Sequence, residues 1–153
     1  MLVVGGGAAG REAARVAAER GHTVTLLERG DRLGGQLWPA GRAPGKSDIH
    51  RFVDFLETQL KKLHVDVRLG VEVTAEMIAA EHPDALIVAT GASQFVPDIS
   101  GVDLPHVVMG LDVLEGKVGV GKRVVIIGGE DVACEVGDFI IDRDPEAEVT
   151  LTT

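Results

Sequence analysis

Short apolar runs alternate with amphipathic stretches along this chain, and glycine-rich turns separate them. Leu2, Val3 and Val4 run without a polar interruption into Gly5-Gly6-Gly7, which predicts a buried strand ending in a tight turn. Residues 8–20 predict a helix with Ala9, Ala13, Val16 and Ala17 on one small-residue face, and Gly21 stands where a helix-ending glycine belongs. Residues 23–27 predict a second buried strand, closing at Glu28. Residues 30–47 are rich in Gly and Pro and predict a long loop, of a length that compact domains keep for function or leave disordered. Ser47 or Asp48 can cap a helix over 49–63 that turns Phe52, Phe55, Leu56, Leu60 and Leu63 inward.

Residues 65–69 predict a third strand, and Val71 and Val73 the start of another short one. Thr74 caps a short helix ending at Glu81, ahead of the breaker Pro83. Residues 85–89 predict a strand that ends in Thr90-Gly91. From 91 to 121, with Pro97 and Pro105, the chain reads as a connector interrupted by one helical turn at 111–114. A strand at 123–127, a helix at 131–141 and a strand at 148–151 follow. The same strand–turn–helix–strand pattern thus occurs twice, from Leu2 and again from Arg123. Strands alternating with helices argue for an α/β fold, a parallel sheet flanked by helices.

The 153 residues suffice for one domain, or one domain and part of another. A compact chain of this size buries roughly 70% of its unfolded surface, enough for a real core. The formal net charge of −9 repels phosphate backbones, and an aromatic content of 3% with no Tyr leaves no stacking platform, so nucleic acid is excluded as a partner. Cys134 is the single cysteine, which excludes an internal disulfide, a Cys-x-x-Cys pair and a self-contained iron–sulfur cluster. His22, His50, His64, His82 and His106 lack metal-ligand spacing and read as surface or capping residues. No apolar run reaches the length of a membrane span and no secretion signal opens the chain, so no membrane partner and a cytoplasmic location are expected. No nucleophile elbow, Walker loop or acid–base constellation occurs, and no catalytic residue is assigned.

The chemistry is in the first turn. Gly5-x-Gly7-x-x-Gly10 lies between a strand and a helix, and an acid closes the next strand. In such a turn Gly5 permits the bend, Gly7 lets the backbone touch a pyrophosphate, and Gly10 lets helix and strand pack closely. The helix start, at Ala8 and Ala9, supplies free N–H groups and a partial positive charge. Glu28 is placed to accept hydrogen bonds from ribose hydroxyls and disfavours a 2′-phosphate, a preference that Arg29 blurs. Gly34-Gly35 and Gly91 offer backbone free of side chains along which an extended ligand can lie, ordinary loop turns being the alternative.

The stretches VVGGGAAGREAARVAAERGHTVTLLERGDRLGGQL, ALIVATGA and LDVLEGKVGVGKRVVIIGG resemble the flavoproteins that carry two dinucleotide-binding domains. They look most like the C-terminal part of the 2,4-dienoyl-CoA reductase and trimethylamine dehydrogenase group of Old Yellow Enzyme-like NADH:flavin oxidoreductases. The resemblance implies a Rossmann-like FAD/NAD(P)-binding fold and, elsewhere in a larger flavoprotein, a barrel with FMN and an iron–sulfur cluster that does the substrate chemistry. The part similar to this chain holds FAD in the reductases, or only ADP in the trimethylamine dehydrogenase-like members. On that resemblance Gly5, Gly7, Ala8, Ala9, Gly10, Glu28, Arg29, Gly35 and Gln36 would contact the nucleotide, Val73 would lie at the adenine end, and Ala89, Thr90 and Gly91 beside the phosphates. Ala8 replaces the family's usual Pro, and Arg11 puts a cation where Leu is common. Residues 1–95 would form the FAD- or ADP-binding domain, 96–121 a connector, and 122–153 an incomplete second Rossmann unit of NAD(P)H type. The implied function is a FAD-binding module that relays electrons between nicotinamide and flavin, the alternative being a non-catalytic ADP-binding structural domain. The isolated chain is expected to be inactive, as a piece of a larger flavoprotein or a shortened descendant of one.

The second turn departs from the first. It reads Gly128-x-Glu130-x-x-Ala133, with Glu where the backbone must approach a pyrophosphate. Two like charges about 4 Å apart at an effective dielectric near 20 repel by ~4 kcal/mol, roughly a thousandfold in affinity. Alternatively Glu130 points to solvent at a helix start, where an acid contributes ~0.3–1 kcal/mol. The closing strand, TLTT, offers no acid for a ribose, and a complete mononucleotide-binding half needs βαβαβ. A weak or absent NAD(P)H site is expected. Cys134, in the first turn of that helix, reads either as a thiol with a lowered pKa or as a small packed residue.

Overall fold

A computed structural model describes residues 1–153, which divide into two compact units, Met1–Leu37 with His50–Ser93 and Trp38–Ile49 with Gln94–Thr153. The first unit is built on four strands, β1 (Leu2–Val4), β2 (Thr25–Leu27), β3 (Asp66–Arg68) and β4 (Leu86–Val88), all parallel, in the order β3-β2-β1-β4. The helix α1 (Ala8–Glu19) joins β1 to β2, and α4 (Ala75–Glu81) precedes β4. A four-residue helix, α2 (Leu37–Ala40), interrupts the loop expected at 30–47, and α3 (Asp48–Lys62) leads to β3. This is the parallel sheet flanked by helices that the alternating pattern implies.

Both faces of this sheet are apolar at its centre, as parallel strands require, while β3 carries Asp66 and Arg68 and β4 leaves Leu86 and Val88 exposed. Val3 pairs in register with Leu26 on one side and Ile87 on the other. Val3 and Leu26 pack with Ala14 and Ala17 of α1 and Leu60 of α3 on one face. On the opposite face Leu2, Val4 and Leu27 meet Val71, Val73 and Ile78. Each such Val or Leu, fully buried, contributes ~1.5–3 kcal/mol over an exposed position. The chain steps outward through β1, β2 and β3, then returns to the other side of β1 as β4. That reversal sets the carboxyl ends of β1 and β4 side by side, the place where open α/β sheets bind ligands.

Several elements differ from their expectation. The inner face of α1 is Gly10, Arg11, Ala14 and Ala17, while Ala9 is exposed and Ala13 and Val16 are only half-buried. The close fit of Gly10 against the β1 turn fixes that rotation, and the other positions follow by helical spacing. In α3 the buried stripe is Val53, Leu56 and Leu60. Phe52 and Phe55, expected inward, are 46% and 50% exposed and stack on each other with ring centroids 6.4 Å apart. They lie one residue ahead of Val53 and Leu56, so they face roughly 100° away from the core line. Asp48 is the first residue of α3. Val71 and Val73 form no strand, because the N–H groups of Gly70 and Val71 donate to the Gly30 and Glu28 carbonyls as the chain crosses the end of β2. Thr74 caps α4 as expected, its hydroxyl accepting the Met77 N–H at 3.3 Å.

Two helices end in the same motif with different residues. After α1, Gly21 at φ 85° donates to Ala18, and His22 donates to Ala17. After α3, His64 at φ 55° donates to Lys61, and Val65 to Leu60. Glycine adopts that left-handed position freely, whereas histidine enters it at a cost.

The second unit carries α5 (Gly110–Glu115), β5 (Arg123–Ile127), α6 (Asp131–Arg143) and β6 (Glu148–Thr152), with β5 and β6 parallel neighbours. Its core is Val113, Leu114, Val136, Phe139 and Ile140. Arg42 belongs to this unit, donating from Nη1 to the Leu114 and Glu115 carbonyls at the end of α5, and Lys46 pairs with Glu135 of α6. No helix of the chain is long and apolar enough to cross a membrane.

Candidate dinucleotide site

Three glycines shape the turn that follows β1, each differently. Gly5 donates its N–H to the Leu27 carbonyl at 2.8 Å and has φ +106°, and a methyl group on it would overlap the Ala89 carbonyl. A methyl on Gly10 would overlap the carbonyl oxygen of Gly5, so only glycine lets α1 come this close to the turn. Gly7 is the N-cap of α1, and a methyl there would meet nothing within 4 Å. Two glycines close the packing and the third leaves room above the helix start.

That room is electrically suited to an anion. The first turn of α1 contains no acidic residue and Gly7 offers no side-chain cap. The first N–H groups of the helix, at the exposed Ala8 and Ala9, therefore have no internal partner and present the positive end of the helix dipole. Beside them Ala89 donates to the Val4 carbonyl at 2.8 Å, which places Thr90 and Gly91 just beyond the end of β4.

Glu28 binds the protein's own backbone. Its Oε2 accepts the Gly6 N–H at 2.6 Å and its Oε1 the Gly30 N–H at 2.7 Å. A carboxylate has about four acceptor positions, so two remain for hydroxyl groups. Gly34 donates to the Gly6 carbonyl at 2.9 Å, and a methyl on Gly35 would lie 3.3 Å from the Gly7 Cα. Gln36 reaches from this loop to the segment after β4, its Nε2 donating to the Ala92 carbonyl at 2.7 Å. Gly5, Gly7, Gly10, Glu28, Gly35 and Gln36 thus gather about the carboxyl ends of β1 and β4. Arg29 is exposed next to Glu28, while Val73 is half-buried on the sheet face opposite α1.

One residue of this region is not flagged by the glycine motif. Arg11, in the first turn of α1, is fully buried, and its Nη1 donates to the Val53 carbonyl of α3 at 2.9 Å. Its Nε and Nη2 are buried without a partner. Burial lowers its pKa, and the charges of Glu57 and Asp54 oppose that shift. A guanidinium still stays protonated at neutral pH. The signal in the sequence is a cation in line with Ala14, on the stripe that begins at Gly10.

The turn after β5 repeats this backbone with other side chains. Glu130 is the N-cap of α6 at φ −94° and ψ −177°, matching Gly7 at φ −73° and ψ −168°. Glu130 is exposed and makes no cap hydrogen bond, and Asp131 adds a second acid in the first turn. The start of α6 carries two carboxylates where α1 carries none. Cys134 is exposed, which corrects the reading of it as a packed residue.

The profile of the family described as pyridine nucleotide-disulphide oxidoreductase matches residues 1–152. The chain is similar to an NADH oxidase of Thermoanaerobacter brockii, 45% identical over 99% of this chain and 24% of that protein. It is also similar to a bilirubin reductase of Mediterraneibacter gnavus, 44% identical over 97% of this chain and 23% of that protein. Among solved structures, a 2-naphthoyl-CoA reductase in complex with 2-naphthoyl-CoA matches with a TM-score of 0.90 and 39% identity, over 98% of this chain and 22% of that one. The chain therefore spans about a quarter of the length of the curated relatives it matches.

Proposed function

The chain belongs to the pyridine nucleotide-disulphide oxidoreductase family, and on that premise we propose that its first unit is the FAD-binding module of an NAD(P)H-dependent flavin oxidoreductase. The family points to FAD, NAD(P) or both, and the glycine loop through Gly35 and Gln36, suited to an extended ligand, supports FAD at the first turn. The observation that carries this reading is the open N-cap at Gly7, where a methyl group would find no neighbour within 4 Å at the uncompensated start of a helix. The residues present fit the group. Gly7, Ala8 and Ala9 would hold the diphosphate, the free lone pairs of Glu28 the ribose, and Gly35, Gln36 and the Ala89–Gly91 backbone the rest of an extended ligand. Arg29 would border the ribose, and Val73 supports the sheet end near the adenine. FAD supplies the electron transfer, while the protein positions it and excludes competing reactions. In the larger protein, a barrel with FMN and an iron–sulfur cluster would exchange electrons with this module.

A second reading is a structural domain holding ADP alone. Glu130 and Asp131 at the start of α6 favour it, because they oppose a nicotinamide dinucleotide in the second unit. One experiment separates the readings. The purified chain is examined for visible flavin absorbance, and any bound nucleotide is released and identified. Flavin supports the electron-relay module and ADP alone supports the structural domain. A chain that carries neither, and that neither stabilises thermally, contradicts both.

A further inference from the structure

We propose that Arg11 sets the charge selectivity of the cradle, acting as a fixed buried positive charge behind the start of α1 that favours a diphosphate over an uncharged nucleoside. This rests on the dinucleotide reading of the first unit. Arg11 touches no part of the cradle surface, being fully buried, so its role is to position charge rather than to contact ligand.

A cation without exposure, holding one neutral carbonyl and leaving two nitrogens unpartnered, is an expensive group to keep in a core. An apolar side chain would fill the same seam between α1 and α3 without that penalty. The carboxylates nearby are poor compensation. Asp54 is exposed, and Glu57 is already paired with Lys61 at 2.7 Å. The positive charge is therefore only partly balanced within the protein.

Its placement gives the excess a direction. The Arg11 N–H donates to the Gly7 carbonyl at 3.1 Å, so the residue sits one turn behind the N-cap. At 1.5 Å rise per residue the two Cα atoms are separated by about 6 Å along the axis, and helical side chains tilt toward the N-terminus. The residue thus stands one turn from the N-cap, and its guanidinium, held against the Val53 carbonyl of α3, is in a buried position that salt screens weakly. At an effective dielectric near 20, a pair of opposite charges about 8 Å apart changes affinity roughly thirtyfold. An anion at Gly7 is the compensation the core lacks.

The test is calorimetric titration of the full chain, wild type, Arg11→Met and Arg11→Lys, with ADP and with adenosine, together with the thermal melting of each protein without ligand. Arg11→Met should weaken ADP at least tenfold and leave adenosine unchanged. Arg11→Lys should keep ADP within about threefold of wild type, since it keeps the charge. The ligand-free Arg11→Met protein should melt no lower than wild type. Unchanged ADP binding by Arg11→Met would overturn the inference. So would a joint loss of ADP and adenosine with a lowered melting temperature, the signature of a plain brace between helices. A wild-type chain that binds no ADP would defeat the dinucleotide reading itself, and the inference with it.

Discussion

Glu28 and Gly6 are joined by a 2.6 Å hydrogen bond from the glycine loop to the carboxylate that closes β2. The other carboxylate oxygen holds Gly30. The acid that the motif assigns to a ribose is thus also a clamp on the turn. Preorganisation of this kind reduces the ordering cost of binding.

Glu28→Ala removes both accepted bonds and leaves the two N–H groups without an internal partner. Hydrogen bonds to charged groups contribute about 1.5–3 kcal/mol each, less where water can replace them, so a loss of about 2–3 kcal/mol is expected in urea denaturation. Glu28→Gln, which retains one acceptor, should lose about half as much. An unchanged denaturation midpoint in Glu28→Ala would show that the clamp is incidental.

Gly7 and Gly10 should respond oppositely to the same added methyl group. Gly10→Ala drives a methyl into the Gly5 carbonyl, and overpacking of this kind costs about 1–3 kcal/mol or more. Gly7→Ala meets open space and loses at most about 1 kcal/mol as a poorer N-cap. Yet it narrows the room for the diphosphate, so ADP affinity should fall at least tenfold while stability is nearly kept. Denaturation and calorimetry on both variants check this crossover.

Much of this is written in the residues, and the gaps have physical causes. The strand, turn and helix from Leu2 to Glu19 are legible because apolar run, glycine spacing and helix pattern agree. The neighbourhood of β1 and β4 is not, since strand order depends on long-range pairing that no local pattern encodes. The rotation of α3 is misread for a related reason. Phe52 and Phe55 outrank Val53 in hydrophobic size, but the seam with α1 selects the stripe through Val53, Leu56 and Leu60. Arg11 stands out in the sequence as a cation near the helix start, but its burial does not, because charge on a helix is read as solvated unless the packing partner is known. The double role of Glu28 is hidden likewise, its clamp depending on where loops meet.

The paired helix ends make a cleaner stability prediction. His64→Gly relieves a left-handed residue, a strain of about 1–2 kcal/mol, against a backbone entropy loss of about 0.5–1 kcal/mol. The net gain of roughly 0.5–1 kcal/mol should raise the melting temperature by about 2 °C. Gly21→Ala, the reverse change at the equivalent position, should lower it. Scanning calorimetry on the two variants decides.

Glu130→Gly should improve NADH binding. The carboxylate is exposed, so water weakens its repulsion toward the ~1 kcal/mol expected about 4 Å apart in high dielectric, roughly fivefold in affinity. Removing its bulk adds to the gain. Titration of NADH into wild type and variant checks this, and equal affinities would show that the second turn is limited by something other than Glu130.

The most direct measurement is amide mapping by nuclear magnetic resonance as ADP is added to the labelled chain. Saturable shifts should concentrate on Gly6 to Gly10 and on Ala89 to Gly91, leaving Gly128 to Asp131 unmoved. A glycine turn that stays silent while ADP perturbs other residues, or nothing, would contradict the account.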